Sequence, residues 1–414
     1  MRIRRRLATT DPATFEPDLA ASLTNLGGWL SELGRRADAL TATEEAVQIY
    51  RRLAAANPAA FEPDLAACVD NLGLWLSGLG RREDARTTTE EAVQIRRRLA
   101  AANPAAFEPD LARSLNNLGA QLSELGRPDN ALSATEQVVQ IYQRLAAANP
   151  AAFEPDLARS LNNLGFLLSE LGQREDARTT TEQAFQIYQR LAAVNPAAFE
   201  PDLARSLNNL GAQLSELGRP DNALSATEQA IHIRRRLATD NPGAFEPDLA
   251  ASLNNLGIQL SKLRRHEDAR TAAEEAVEIY QRLATANPAA FEPDLAASLT
   301  NLGVLLAELE QREDGLAHTE QALTIYRKLA AANPAAFEPD LARSLNNLGV
   351  LLAALGRPEE ALTATEQAVE IRRRLAAAHP TVFEADLSVS LTNLGLLQSE
   401  LERGEKARPP QQQG

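Results

Sequence analysis

Leu19, Leu23, Leu26, Leu30 and Leu33 recur at spacings of 4, 3, 4 and 3. That is the apolar stripe of one α-helix face. Pro17-Asp18 opens this helix, because proline is tolerated in the first turn and an acid there suits the helix dipole. Gly34 closes it in the left-handed conformation, as Gly80, Gly126, Gly172, Gly218 and Gly356 do at matching places. A second helix runs from about Arg36 to Ala56, with Ala39, Thr43, Ala46, Val47, Tyr50 and Leu53 facing inward and Asn57-Pro58 ending it. The turn at Gly34 is short, so the two helices are antiparallel. The connector Asn57 to Pro63 carries Phe61, which reads as a wedge between successive units.

This pattern is written nine times without insertion or deletion. Its phenylalanine falls at Phe15, Phe61, Phe107, Phe153, Phe199, Phe245, Phe291, Phe337 and Phe383, and nine units of 46 account for all 414 residues. First helices are expected to start near residues 17, 63, 109, 155, 201, 247, 293, 339 and 385. Residues 1–408 then form one array and 409–414, with Pro409-Pro410 and three glutamines, a disordered tail. A strict long period means a stack of supersecondary units, each touching its neighbours, so function is expected on an extended surface rather than in one pocket.

Charge narrows the partners. A net charge of −14 works against the phosphate backbone of nucleic acid and against anionic membranes, so neither is expected as a partner. No run of 18 apolar residues occurs, and the basic start Arg2 to Leu7 leads into no apolar segment. The single Cys68 allows no internal disulfide, which fits a reducing compartment, and a cytoplasmic location is expected. His232, His266, His318 and His379 occupy four different places in the repeat, so metal-ligand spacing is lacking. No metal, no cofactor and no catalytic residue is assigned, and the protein is expected not to be an enzyme.

The run Leu23-x2-Leu26-Gly27-x2-Leu30, followed by Ala39, Thr43 and Ala46, resembles the tetratricopeptide repeat. Leu23 and Leu30 replace the family's two aromatics, Thr43 replaces its Phe, and the closing proline comes late, at Pro58. The 46-residue unit is longer than the family's usual one and is similar to the Leu-Asn-Asn-Leu arrays of kinesin light chains and of bacterial signalling proteins. The resemblance covers all nine units. It implies an all-α fold, a right-handed α-solenoid superhelix of helix-turn-helix repeats, whose first helices line the concave face.

On that face the resemblance singles out Asn25, Asn71, Asn117, Asn163, Asn209, Asn255, Asn301, Asn347 and Asn393. An amide offers donor and acceptor together, so this row can hold the backbone of an extended peptide or can link adjacent units. Arg113, Arg159, Arg205 and Arg343 stand where other units have Ala or Val, a carboxylate clamp or else solvated arginines paired with acids of the preceding unit. Trp29 and Trp75 sit at a variable place after the helix glycine, as anchors for a partner or as packing between helices. On the second helix, Tyr50, Tyr142, Tyr188, Tyr280 and Tyr326 alternate with Arg4, Arg96, Arg234 and Arg372, which reads as half-buried with a wet tip.

The function expected from this reading is a non-enzymatic protein–protein interaction scaffold that binds an extended peptide or protein in its concave groove. The alternatives are a structural spacer that self-associates weakly head to tail, and the regulatory arm of a larger signalling protein.

Overall fold

Each Asn-Pro pair starts a helix as well as ending one. Asn57 caps the C-terminus of one helix through its N–H to Leu53 O, and its side chain accepts from Ala60 N at 3.3 Å to cap the next. Pro58 fills the first helical position, where its missing N–H costs nothing. First helices therefore begin at Pro12, Pro58 and their counterparts rather than near Pro17 and Pro63, which lie inside the helices. The expected seven-residue connector shrinks to the single residue Asn57, because the cap and the N-terminal proline outweigh the one backbone bond lost at Pro63.

A computed structural model describes residues 1–407, and every described element is an α-helix. The tail expected at 409–414 lies outside the described residues. The chain divides into two compact units, Met1–Asn209 and the part from Leu210 onward. The first holds α1 (Arg2–Thr10), α2 (Pro12–Glu32), α3 (Arg36–Ala56), α4 (Pro58–Gly78), α5 (Arg82–Ala102), α6 (Pro104–Glu124), α7 (Pro128–Ala148), α8 (Pro150–Glu170), α9 (Arg174–Val194) and most of α10 (Pro196–Glu216). The second holds α11 (Pro220–Asp240), α12 (Pro242–Lys262), α13 (His266–Ala286), α14 (Pro288–Glu308), α15 (Arg312–Ala332), α16 (Pro334–Ala354), α17 (Pro358–Ala378) and α18 (Pro380–Ala407).

Within the first unit α2 packs on α3, α4 on α5, α6 on α7 and α8 on α9, and α3, α5 and α7 also pack on the next first helix. The second unit repeats this with α12 on α13, α14 on α15 and α16 on α17, and its first helices α12, α14, α16 and α18 touch in succession. The fold is an all-α solenoid of helix-turn-helix repeats.

Close approach within a hairpin depends on one contact. Thr43 Oγ1 donates back to Ala39 O at 2.8 Å and lies against Gly27, where a Cβ would overlap it. Only glycine leaves room for that hydroxyl, and Gly73, Gly165, Gly211, Gly303 and Gly349 meet Thr89, Thr181, Thr227, Thr319 and Thr365 in the same way. The core around Leu23, Val47, Tyr50 and Val69 is completed by half-buried Phe15 and Phe61. The leucine stripe ends earlier than its spacing suggests, since Leu33 sits at the helix C-cap and is exposed.

The hairpin turn takes φ of +73° at Gly34 and +75° at Gly80. Arg264 and Glu310 adopt the same left-handed conformation without glycine, at φ +58° and +61°.

Candidate ligand-binding face

Six hydrogen bonds that link successive first helices lie outside the asparagine row. They fall one residue earlier, at 44-residue spacing. Thr24 Oγ1 meets Cys68 Sγ at 3.5 Å, Ser114 Oγ donates to Asp70 at 2.7 Å, and Asn162 Nδ2 donates to Ser206 Oγ at 2.6 Å. In the second unit Asn254 Nδ2 donates to Ser298 Oγ at 2.6 Å, Thr300 pairs with Ser344 at 3.1 Å, and Ser390 donates to Asn346 Oδ1 at 3.1 Å.

The row itself lies beside this lane, half-buried or exposed. Among the described residues the side chains of Asn25, Asn71, Asn117, Asn163, Asn209, Asn301 and Asn347 make no hydrogen bond, whereas Asn393 Nδ2 donates to Asn346 Oδ1 at 3.2 Å. A row of open amides along the first helices can both donate to and accept from a bound chain.

The arginines beside the row are already partnered. Arg113, Arg159 and Arg205 form ion pairs with Asp110, Asp156 and Asp202 three residues back on their own helices, and Arg343 reaches Asp340 at 2.7 Å. Their acids thus come from the same helix rather than from the preceding unit, because each Arg stands one helical turn after the aspartate of Pro-Asp-Leu. The two tryptophans differ. Trp29 is 63% exposed, while Trp75 is half-buried with Nε1 donating to Thr43 Oγ1 at 3.1 Å, a contact between successive hairpins.

The Tyr/Arg position is buried rather than wet-tipped, except at Arg4 in α1, which is exposed. Tyr188 donates to Pro155 O at 3.3 Å and Tyr280 to Pro247 O at 3.2 Å, so the phenol satisfies the first helix of its own hairpin. Arg96 turns to the following helix instead, donating to Asp110 O and Ser114 Oγ and pairing with Asp70 at 2.7 Å. Burial pushes the Asp70 carboxyl up and the Arg96 guanidinium down, each charge being the other's main compensation. A tip turned inward onto carbonyls and hydroxyls needs no water, and so the position closes completely.

Sequence reading puts Phe166 at a concave, apolar position without singling it out as a site, and passes over Asn162. In the first unit, Phe166 is 59% exposed on α8 and, with Ala120 of α6, Leu167, Asn162, Asn163 and Asn209, lines a hollow of about 450 Å³. The signal was present, since Phe166 is the one aromatic among the residues that directly follow the helix glycine, namely Gly28, Leu74, Ala120, Phe166, Ala212, Ile258, Val304, Val350 and Leu396. Asn162 belongs to the linking lane, which is indistinguishable in the sequence from the open row beside it. Among the described residues no group of three or more His, Cys, Asp or Glu is placed to hold a metal ion, and no helix is long and apolar enough to cross a membrane.

Antiparallel hairpins packed through Gly–Thr contacts and stacked by a polar lane define an α-solenoid, with open amides along the first helices of each unit. The chain belongs to the tetratricopeptide repeat family, whose models match residues 19–58, 65–104, 110–190, 156–236, 202–282 and 294–374. No curated protein matches the sequence. Among solved structures, the apo form of the quorum sensor NprR from B. thuringiensis is 15% identical, with 89% of this chain and 92% of that one covered and a TM-score of 0.60. BtubC (BKLC) from P. vanneervenii is 24% identical over 61% of this chain and 94% of that one, with a TM-score of 0.49. A putative kinesin light chain of Podosopora anserina with nearly identical TPR-like repeats is 20% identical over 54% of this chain and 98% of that one, with a TM-score of 0.43. At these identities the likeness is one of fold.

Proposed function

We propose that the array is a non-enzymatic protein-interaction scaffold that holds an extended peptide along its first helices, with the asparagine row bonded to the peptide backbone. One observation carries this reading. Six inter-helix bonds are made by the neighbouring lane, from Thr24–Cys68 to Asn346–Ser390, so the row is released from structural duty along most of its length. Amides left half-exposed beside apolar residues such as Leu74, Phe166 and Val304 suit a main chain with alternating side chains. The row recurs once per 46-residue unit, so a bound chain is held at several points, each of modest strength.

The test uses the full chain and peptides selected on it from a random display library with neutral flanks. Changing Asn117, Asn163 and Asn209 together to Ala is expected to weaken binding by about tenfold or more, at about 0.5–1.5 kcal/mol per hydrogen bond. The melting temperature should hardly move, because these side chains bond nothing in the fold. Unchanged affinity in the triple variant would sink the reading.

A further inference from the structure

The hollow beside Phe166 differs from the rest of the row in its exposed aromatic ring, and one of its polar groups is unmet. Asn162 is 3% exposed, and its Nδ2 is used on Ser206, yet its Oδ1 has no partner. A buried amide oxygen without a partner is uncommon and costly. Turning the amide over exchanges the open acceptor for an open donor, so one end of Asn162 is unmet either way.

Of the matching positions in the second unit, Asn254 also leaves Oδ1 unmet while its Nδ2 is used on Ser298, but Ile258 rather than an aromatic follows its helix glycine, whereas Asn346 is closed. There Asn346 Oδ1 accepts from both Ser390 and Asn393, the latter 47 residues on. The residue 47 on from Asn162 is Asn209, which lines the hollow and makes no such bond. Where the Asn346 site has an amide–amide link, the Asn162 site therefore has a gap with open amides on both sides.

The remaining walls set the chemistry. Phe166, Leu167 and Ala120 give an apolar floor, and the small Ala120 leaves the Phe166 ring open on one side. Arg159 and Arg205 are neutralised by Asp156 and Asp202, so neither an acid nor a base meets an unpaired charge. A volume of about 450 Å³ exceeds one side chain and admits a short stretch of backbone with it.

We propose that this hollow is the specificity pocket of the array, taking a neutral segment of an extended peptide whose bulky apolar side chain packs on Phe166 and whose backbone amide bonds the open end of Asn162. The proposal rests on the groove reading above and adds where selection is made and for what chemistry.

Two substitutions borrow residues that the repeat already uses. Phe166→Ala copies Ala120. Asn162→Thr copies Thr300, which keeps a hydroxyl link to the next helix at 3.1 Å but removes the amide. On the full chain, peptides enriched from the neutral-flanked random library are expected to share one Leu, Ile, Met or Phe with no charged residue next to it. Phe166→Ala should weaken them about tenfold and Asn162→Thr about threefold to tenfold, with melting temperatures close to the parent. Methylating the peptide nitrogen at the apolar residue should weaken binding to the parent protein and have less effect on Asn162→Thr.

Enrichment of acidic or basic peptides would overturn the proposal. So would peptides weakened by the Asn117, Asn163 and Asn209 triple change yet indifferent to Phe166→Ala and Asn162→Thr, a result that leaves the groove reading standing. Indifference to all of these changes removes both.

Discussion

Arg96 is buried against Asp70, while its neighbours Arg97 and Arg98 reach outward, to Gln137 at 2.7 Å and to Glu62 at 2.9 Å. An arginine run that could suggest a nucleic-acid patch is thus consumed by three different intramolecular partners. Buried ion pairs gain little over apolar replacements, but removing one partner strands the other. Arg96→Tyr alone should therefore destabilise the hairpins of α4 to α6 by about 3–5 kcal/mol, because the Asp70 carboxylate loses its counter-charge. Asp70→Asn should cost less, since Arg372 is already held by Asp386 O at 2.8 Å and Ser390 Oγ at 2.5 Å beside an asparagine, Asn346. The double change recreates the Asn116 and Tyr142 pairing of the following unit and should recover most of the loss. Hydrogen exchange of α4 to α6 in the three variants checks this, and equal single losses with no recovery would contradict it. The residue scale is also where the sequence is least legible. Tyr and Arg share a position because both can aim a donor at a carbonyl in the dark, and nothing in their spacing distinguishes that from a half-wet site.

At the scale of the helix, the period, the antiparallel pairing and the second-helix bounds Arg36–Ala56 all stand in the sequence, because they follow from apolar spacing and from glycine at the turn. The first-helix starts do not, because two prolines compete to be first and only the cap at Asn57 decides for Pro58. The hairpin crossing turns on the Gly–Thr contact. At Gly165 a Cβ would overlap the Thr181 hydroxyl and come within 3.1 Å of Ala177 O, whereas at Gly257 it meets Ala269 O at 3.3 Å and Ala273 Cβ at 3.8 Å. Gly165→Ala should lose about 1–3 kcal/mol to overpacking. Adding Thr181→Ala should return part of this, the carbonyl contact remaining. Gly257→Ala should cost clearly less, since alanine regains about 0.5–1 kcal/mol of helix preference with no hydroxyl in its way. Denaturant unfolding followed by local hydrogen exchange resolves the three, and an equal cost at Gly165 and Gly257 would show that the hydroxyl contact does not set the crossing.

At the scale of the molecule, repetition means that one kind of environment occurs many times, so a weak local property becomes a property of the whole chain. All five tyrosines occupy the same repeat position, and all five are buried. Burial, chiefly, pushes each phenol up from its ordinary value. Tyr188 goes to about 12, and Tyr50, Tyr142, Tyr280 and Tyr326 move in the same direction, with nearby carboxylates such as Asp64 and Asp294 adding to it. Since the folded-state value lies above the unfolded one, the native protein holds these protons more firmly than the unfolded chain does. The tyrosine contribution to stability is therefore fully present below the ordinary value of 10.0 and is lost as pH rises through the window up to about 12. Five sites titrating in the same sense should make alkaline unfolding steep. Tyrosinate absorbance is expected to appear together with loss of the helical circular dichroism signal rather than ahead of it. A tyrosinate transition centred near the ordinary phenol value while the helical signal stays intact would mean that the phenols are open to water. It would also mean that the carbonyl contacts of Tyr188 and Tyr280 do not close the position.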